Sequence, residues 1–428
     1  MIQLAGFVQS ARRELPQALY ARWAAVFFSL GVLTLLVSIS VSQAALAASG
    51  IAYGLHLWRA RPEVSLLPIT LPLALFCVGT VLAVVAATNP AVGWLAVRKL
   101  VLFLILLLAA NLVTRGKHLL FLLHGLFAVS ALAAVVGTVQ FVLQYRAVRA
   151  LYPDRVYASM TSDRITGFMG HWMNFSGQQM LVFVVLLACL LLAPRALEAR
   201  WRATGPLGAV ALGLVALSLV LGFTRGVWLG CAAATLYLVA RWRPRLLWAL
   251  PVIASIGYFL APGMVRQRVR VLANPRSDPA LSIRFEMWDV GFEMMKRHPW
   301  LGVGPNNIEQ QYVLYLPPGK SPEPGYHAHL HSNVIHLGAE RGVPVLVAWV
   351  WMMGALAWHS WRLRRRLREF RWTADAALAA WLAFVVEGCF EFNFGTSPVL
   401  MLFLVVMAIP FAAERIELAA AKAAAAPA

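Results

Sequence analysis

Apolar residues fill long runs along almost the whole chain, and polar residues are gathered in the short stretches between those runs. Runs of about twenty apolar residues are long enough to cross the hydrocarbon core of a bilayer as helices. The pattern predicts about twelve membrane-spanning helices. Their expected limits are residues 24–39, 40–57, 67–87, 94–113, 118–143, 174–193, 205–222, 226–240, 246–261, 333–359, 375–392 and 397–414. The predicted fold class is an all-α polytopic membrane protein, with residues 1–428 as a single integral membrane domain.

One stretch between predicted spans is much longer than the others. This loop, residues 262–332, separates the ninth and tenth predicted spans, and a loop of this length rarely lacks structure in a compact protein. Within it, Ser282–Arg297 carries apolar residues at helical spacing and precedes Pro299, which predicts an amphipathic helix on the membrane surface. The apolar residues are Ile283, Met287, Val290 and Met294. Residues 415–428 are alanine-rich, and we expect them to form a disordered cytoplasmic tail.

Basic residues in alternate loops predict the orientation and explain much of the net charge of +19. Lys and Arg accumulate in cytoplasmic loops, so these loops and both termini are expected in the cytoplasm. Treating the first two spans as one would place the basic loops outside, which favours two separate spans. The positive charge is thus expected to contact membrane lipids, and no nucleic acid partner is predicted. The basic positions lie at Arg12–Arg13, Arg59–Arg61, Arg115–Lys117, 195–202, 241–245 and 362–371.

Three stretches that fall on the outer side are also polar, and they carry arginines that the loop-charge rule does not explain. Arg164 lies in the stretch 144–173, Arg225 in a short link between spans, and Arg284 at the start of the predicted amphipathic helix. A guanidinium group is a planar fork of donors that suits phosphate oxygens. Taken singly, each arginine could also be an interface residue that contacts lipid headgroups. Together they predict an anionic ligand on the outer side.

Four histidines fall where the outer loop returns to the membrane, and three interpretations of them stay open. They can bind a metal ion, pack at the membrane interface, or act as a general base near neutral pH. A metal site is disfavoured because no carboxylate or cysteine joins them at ligand spacing. Each of the four cysteines lies inside an apolar run, so neither a disulfide nor a zinc site is indicated. We therefore expect no metal and no cofactor. The histidines are His327, His329, His331 and His336.

Two carboxylates accompany these groups. Glu387 and Glu391 lie one helical turn apart on the outer half of the eleventh predicted span. Such residues can hold an arginine or histidine in place, or face a wet cavity.

The pair His331-Ser332, followed after nine residues by Gly342, resembles the H-[NSQ]-x9-G motif of the bacterial O-antigen ligase superfamily. Upstream segments resemble further motifs of the family in the same order, and the resemblance covers roughly residues 155–345. Two positions depart from the family pattern: Ser332 replaces a frequent Asn, and Val343 replaces a frequent second Gly. The upstream segments read DRITGFMGHWMN, FTRGVW, SIRFEMW and HPWLGVGPNN.

The resemblance implies a C-type glycosyltransferase (GT-C-like) fold in a bacterial inner membrane, with its active site facing the periplasm. The donor would be an O-antigen glycan on undecaprenyl pyrophosphate, and the acceptor a sugar hydroxyl of lipid A-core. Carried over by motif, His331 is the general base, while Arg225 and Arg284 hold the pyrophosphate and Arg164 is a third candidate. His329, Glu387 and Trp288 are secondary candidates. Because arginines can neutralise the pyrophosphate without a metal, a metal-independent transfer is expected. Because the hydroxyl would attack from the face opposite the pyrophosphate, inversion at the anomeric carbon is expected.

Three alternative functions remain open at this point. An O-antigen polymerase would use a second lipid-linked repeat unit as acceptor, and a protein O-oligosaccharyltransferase would use a Ser or Thr hydroxyl. A transporter or flippase for an anionic lipid-linked glycan belongs to a different class. It is disfavoured because transporters place key polar groups near the midplane, whereas here they gather at the outer boundary.

Overall fold

The computed structural model describes residues 19–194, 204–273, 279–322 and 328–425. Over these ranges all regular structure is helical. Several predicted features lie outside them: Arg12, Arg13, the basic loop 195–202 and His327. The helices are α1 (Leu19–Thr34), α2 (Ile39–Ala60), α3 (Thr70–Val85), α4 (Pro90–Lys99), α5 (Leu104–Leu112), α6 (Gly116–Leu151), α7 (Val156–Ser162), α8 (Trp172–Leu192), α9 (Thr204–Leu221), α10 (Arg225–Trp242), α11 (Leu250–Leu260), α12 (Gly263–Ala273), α13 (Pro279–Arg297), α14 (Ile308–Gln311), α15 (Asn333–Arg366), α16 (Arg371–Gly388) and α17 (Ser397–Ala425).

Every predicted apolar segment contains a helix, which agrees with a polytopic membrane protein. The first two segments are separate helices, because Ser38 leaves the helical conformation and its hydroxyl caps α2 by accepting from the Val41 N–H at 3.4 Å. Among the described residues, five helical stretches are long and apolar enough to cross a membrane. They are Pro90–Leu112, Gly116–Leu151, Trp172–Leu192, Asn333–Arg366 and Ser397–Ala425. The count of twelve crossings stays a prediction.

The last helix, α17, lies at the centre of the molecule. In its most apolar stretch of 18 residues, 83% is buried inside the protein. The helix packs against α5, α8, α15 and α16. The rings of Phe403 on α17 and Phe384 on α16 are stacked with centroids 4.1 Å apart. A helix that is apolar on every side is expected in such a position.

The C-terminal end of α17 differs from the expected disordered tail, since the helix continues through residues 415–425. Alanine has the highest helix propensity, so an alanine-rich stretch that extends an existing helix remains helical. Two side chains also attach this end to its neighbours. Arg415 donates to the Ala110 carbonyl at 2.7 Å, and the Glu417 carboxylate accepts from the Phe370 N–H at 2.8 Å. Residues 426–428 lie outside the described ranges.

A helix is present where one was predicted at 282–297: α13 begins at Pro279 and ends at Arg297, two residues before Pro299. Its location on a membrane surface stays a prediction. Its apolar residues Met287, Val290 and Met294 are almost fully buried in a small core of their own. That core includes apolar residues from the following loop and from the start of α15. The described residues of the segment 262–332 that join this core form a packed layer, which we call the outer layer after the orientation predicted from the sequence.

The segment 298–307, which follows α13, is seated in a break of α15. Gly342 interrupts that helix with φ 79° and ψ 169°, a conformation open essentially to glycine alone. A Cβ on Gly342 would come within 2.3 Å of the Trp300 carbonyl oxygen. Above the break, the Val303 N–H donates to the Ala339 carbonyl at 2.9 Å. The glycine of the motif thus lets one outer segment attach to the helix that follows His331.

Candidate functional site

A cavity of about 840 Å³ opens where the first turns of α2, α8, α10 and α17 meet α13 and the segment before α15. Five cationic side chains line it, against one carboxylate, Glu391, among the described lining residues. We call it the cationic cavity. Its charge favours an anionic ligand that can accept several hydrogen bonds. The five cations are Lys99, Arg164, Arg225, Arg268 and Arg284.

Glu391 joins two of the residues predicted from the sequence. Its Oε2 lies 2.7 Å from Nδ1 of His331, and its Oε1 pairs with a terminal nitrogen of Arg284. The Glu391 side chain is only 2% exposed, whereas those of His331 and Arg284 are each 19% exposed. A buried carboxylate is stable when both oxygens are paired in this way. The single carboxylate therefore orients the histidine ring and the guanidinium together.

The contact with Glu391 determines which nitrogen of His331 can act as a base. In the neutral ring, the Nδ1–H donates to the carboxylate and the lone pair resides on Nε2. The backbone of His331 has φ 45°, in the left-handed region that few non-glycine residues adopt. Such strain persists where surrounding contacts enforce it, and it is concentrated at functional sites.

The turn that carries Glu391 is attached to the start of α15. Asn333, two residues after His331, donates from its amide to Asn393 Oδ1 at 2.6 Å, and its own Oδ1 accepts from the Phe394 N–H at 3.1 Å. Asn393 in turn donates to the carboxylate of Glu387. Glu387, a secondary candidate from the sequence, is thus buried in this supporting network and is not among the described lining residues of the cavity.

Arg164 and Arg225 approach the cavity from two further elements. Arg164 donates from Nε to the Thr161 carbonyl at 2.8 Å, and its guanidinium lies over the Trp172 ring, 4.0 Å from the centroid. Burial lowers the pKa of Arg164 to about 10, and the positive charge of Arg268 acts in the same direction, so the group stays protonated at neutral pH. Arg225 begins α10 and is 8% exposed. Both positions are consistent with an anion held from two sides.

His329 also lines the cavity, 5.9 Å between centroids from the ring of Phe392 and 5.7 Å from that of His336. Burial, followed by the nearby His336, lowers the pKa of His329 to about 4. His329 is therefore neutral at pH 7.

Trp288, the last secondary candidate, packs in the small core of the outer layer, and its ring makes an edge contact with that of Phe285 at 5.4 Å between centroids. Trp288 is not among the described lining residues of the cationic cavity.

Lys99 is a lining residue that the sequence reasoning missed. It lies at the end of α4, and its Nζ donates to the Gly395 carbonyl at 2.9 Å. A lysine inside the apolar segment 94–113 was the available signal, because a charge within a predicted span is costly unless it has a function.

A second cavity, of about 810 Å³, adjoins the cationic cavity and is mainly apolar. We call it the apolar groove; it runs between α2 and the α4–α5 region, and it shares several lining residues with the cationic cavity. The shared residues are Gln43, Lys99, Asn306 and Ser397. A ligand with a charged head and a long apolar chain could therefore occupy both.

Among the described residues, no group of three or more His, Cys, Asp or Glu side chains could hold a metal ion.

Comparison with known proteins gives one family match. Residues 209–350 match the family model described as O-antigen ligase. The matched region includes Arg225, Arg284 and His331, together with the Gly342 break. No curated protein matches the chain.

Proposed function

Residues 209–350 match the family model described as O-antigen ligase, and from this premise we propose that the chain belongs to the O-antigen ligase superfamily and is the ligase itself. It would transfer an O-antigen glycan from undecaprenyl pyrophosphate to a sugar hydroxyl of lipid A-core. The proposal includes a GT-C-like fold of about twelve spans in a bacterial inner membrane, with both termini cytoplasmic and the site facing the periplasm.

The observation that carries the proposal is the pairing of Glu391 with both His331 and Arg284 in a cationic cavity. A glycosyl transfer from a pyrophosphate needs a base for the acceptor and positive charge for the leaving group. Here one buried carboxylate holds a candidate base and a candidate phosphate ligand next to each other. One terminal nitrogen of Arg284 pairs with Glu391, and the other N–H groups of the guanidinium can donate to phosphate oxygens.

The proposed step moves one proton, from the acceptor hydroxyl to His331, and exchanges one C–O bond at the anomeric carbon for another. Nε2 of His331 takes the proton of the acceptor hydroxyl while the oxygen attacks the anomeric carbon from the face opposite the pyrophosphate. The new C–O bond forms as the anomeric carbon–phosphate oxygen bond breaks, and the pyrophosphate leaves with the electron pair. Because the attack comes from the face opposite the leaving group, the anomeric configuration inverts. Arg225, Arg284 and Arg164 stabilise the charge that develops on the pyrophosphate. The protonated imidazole is stabilised by Glu391.

The apolar groove supports a lipid-linked donor in particular. With the pyrophosphate between the arginines, the polyprenyl chain would leave past Lys99 and lie against the apolar side chains of α2 and α5. A soluble nucleotide sugar would leave this groove without an occupant. The groove is lined mainly by apolar side chains, and close contact with them favours a prenyl chain that fits the groove.

The test is a transfer assay with purified protein, undecaprenyl-pyrophosphate glycan and rough lipopolysaccharide, in the presence of a chelator. We expect a chelator-resistant upward shift of the lipopolysaccharide band. The His331→Ala variant should lower the rate by about two to four orders of magnitude. His359→Ala, which changes a histidine at the other end of α15, is the matched control and should keep the wild-type rate.

Three results would contradict the proposal. A lengthened donor with unmodified lipopolysaccharide would make the protein a polymerase. Donor binding without any transfer product would favour a transporter. Activity lost to the chelator and restored by zinc would turn the histidines into a metal site.

A further inference from the structure

A third cavity, of about 1100 Å³, lies at the opposite ends of the helices from the cationic cavity. Two helices line both cavities: α2 contributes Gln43 to one and His56 to the other, and α17 contributes Ser397 to one and Arg415 to the other. Ser397 and Arg415 are separated along α17 by about 27 Å at the usual helical rise. That distance is close to the hydrocarbon thickness of a bilayer, roughly 30 Å. The two cavities thus correspond to the two faces of a membrane.

This opposite-end cavity is cationic, although it is remote from the proposed chemistry. Arg22, Arg115 and Arg415 line it from three different elements, and Glu63 is the one carboxylate among its described lining residues. Arginine clusters of this kind recognise phosphate. Nothing in the glycosyl transfer uses a charge at this end.

Its polar framework is held in place by hydrogen bonds within the protein. A terminal nitrogen of Arg415 donates to Asn111 Oδ1 at 2.9 Å, and the Asn111 amide donates to the Ser65 carbonyl at 2.9 Å. Ser29 Oγ lies 2.8 Å from Nε2 of His118, which links α1 to α6. The arginine that comes from the central helix is therefore positioned before any ligand arrives, which lowers the entropic cost of binding.

One wall of the same cavity is apolar. Val26, Leu30 and Phe121 line it, and their exposed fractions are 52%, 46% and 52%. A site for a free inorganic anion does not require an apolar wall. Apolar surface beside a group of arginines instead matches a molecule with a phosphate headgroup and hydrocarbon chains.

We propose that the opposite-end cavity is a binding site for an anionic glycerophospholipid. The lipid phosphate would lie between Arg22, Arg115 and Arg415, and the acyl chains would pack against Val26, Leu30 and Phe121. By the orientation predicted from loop charge, the lipid comes from the cytoplasmic leaflet. The bound lipid joins α1, α6 and α17, so it stabilises the folded protein by mass action.

The experiment uses the full-length protein, purified in detergent and depleted of lipid. Phosphatidylglycerol, phosphatidylcholine with the same acyl chains, and inorganic phosphate are each titrated. Binding is read by native mass spectrometry and by the unfolding temperature. We expect phosphatidylglycerol to bind and to raise the unfolding temperature, and the other two probes to do neither. Because lipid binding is measured rather than transfer, the result is independent of the proposed enzymatic function.

Matched variants test the assignment of residues. In the Arg22→Gln/Arg115→Gln double variant, the Kd for phosphatidylglycerol should rise about tenfold or more, since two charge-assisted contacts are lost. Arg245→Gln removes an exposed arginine that does not line the cavity, and it should bind as the wild type does. Val26→Trp, which keeps every arginine and fills the apolar side, should also weaken binding.

The proposal would be overturned by equal stabilisation from inorganic phosphate, which would indicate a site for a soluble anion. It would also be overturned by equal binding of phosphatidylcholine. Wild-type affinity in the folded double variant, or in folded Val26→Trp, would exclude the assigned residues.

Discussion

At the scale of single residues, Glu391 couples the two functions assigned to its neighbours. In the proposed reaction, His331 needs a partner for Nδ1 so that Nε2 faces the acceptor, and Arg284 needs an anchor so that its fork faces the donor. Because one carboxylate serves both, a change at Glu391 alters the base and the phosphate ligand at once. In addition, neutralising it leaves Arg284 in a cavity already crowded with positive charge.

The first prediction is that Glu391→Gln lowers kcat by about a hundredfold or more, because the amide neither selects the Nδ1–H tautomer nor stabilises the protonated ring. The measurement is the transfer rate at saturating donor and acceptor. Asp154→Asn, an exposed neutralisation in the outer stretch, serves as the control and should leave kcat unchanged. Wild-type kcat in folded Glu391→Gln would show that the contact is structural only.

A second prediction concerns the acid limb of the rate–pH profile. The pKa of His329 is lowered to about 4, so this ring is neutral throughout the range from pH 5.5 to 8. At pH values well above its pKa, a histidine ring is neutral and its charge does not change. His329→Gln should therefore leave the midpoint of the acid limb where it is in the wild type. A shift of the midpoint in the variant would mean that His329 titrates in this range and contributes to the step.

The sequence could identify most of the charged groups at this site, but not the carboxylate that joins them. Arg164, Arg225 and Arg284 were recognisable because arginines on the outer side have no role in orientation. Glu387 and Glu391 are the same residue type, one turn apart, and nothing in their spacing says which reaches the cavity. The choice depends on where α16 ends: it stops at Gly388, so Glu391 falls on the turn that Asn333 attaches to α15.

At the scale of elements, the break in α15 connects the outer layer to the base. The helix begins directly after His331, and its interruption at Gly342 receives the segment that follows α13, the helix that carries Arg284. The relative position of His331 and Arg284 therefore depends on a backbone conformation about two and a half turns after the start of α15. Periodicity was sufficient to predict α13. It could not predict the break, because a glycine in an apolar helix is compatible with a continuous helix.

The third prediction is that Gly342→Ala destabilises the protein by at least about 2 kcal/mol and abolishes transfer, since the backbone conformation is open to glycine alone and the Cβ meets the Trp300 carbonyl. Thermal unfolding in detergent measures the first effect. Gly354→Ala lies on the same helix, with nothing within 4 Å of the added Cβ, and should keep or slightly raise the unfolding temperature. Equal unfolding temperatures for the two variants would refute the role of the break.

At the scale of the whole molecule, the cationic cavity and the apolar groove adjoin each other. The cationic cavity and the apolar groove share Lys99 and Asn306, so a donor would be recognised at both its pyrophosphate and its lipid chain. Neither surface could be predicted from the sequence as a cavity. Most residues of the groove come from α2, α4, α5 and α17. Apolar positions that line a groove look the same in a sequence as positions that face lipid.

The last prediction separates these two forms of recognition by the length of the lipid chain. Ala47 is an exposed small residue of α2 that lines the apolar groove, and Ala47→Trp should fill part of the groove. The added ring should displace part of the prenyl chain from its contacts, and a loss of about 1.4 kcal/mol raises KM for the undecaprenyl donor about tenfold. For a donor with two isoprene units KM should not change, and kcat should be unaffected for both, because the contact is equally strong in the ground and transition states. Ala44→Trp, on the same helix but outside the groove, is the control. An equal rise in KM for the short and the long donor would contradict the placement of the lipid chain in the groove, because the effect would then not depend on chain length.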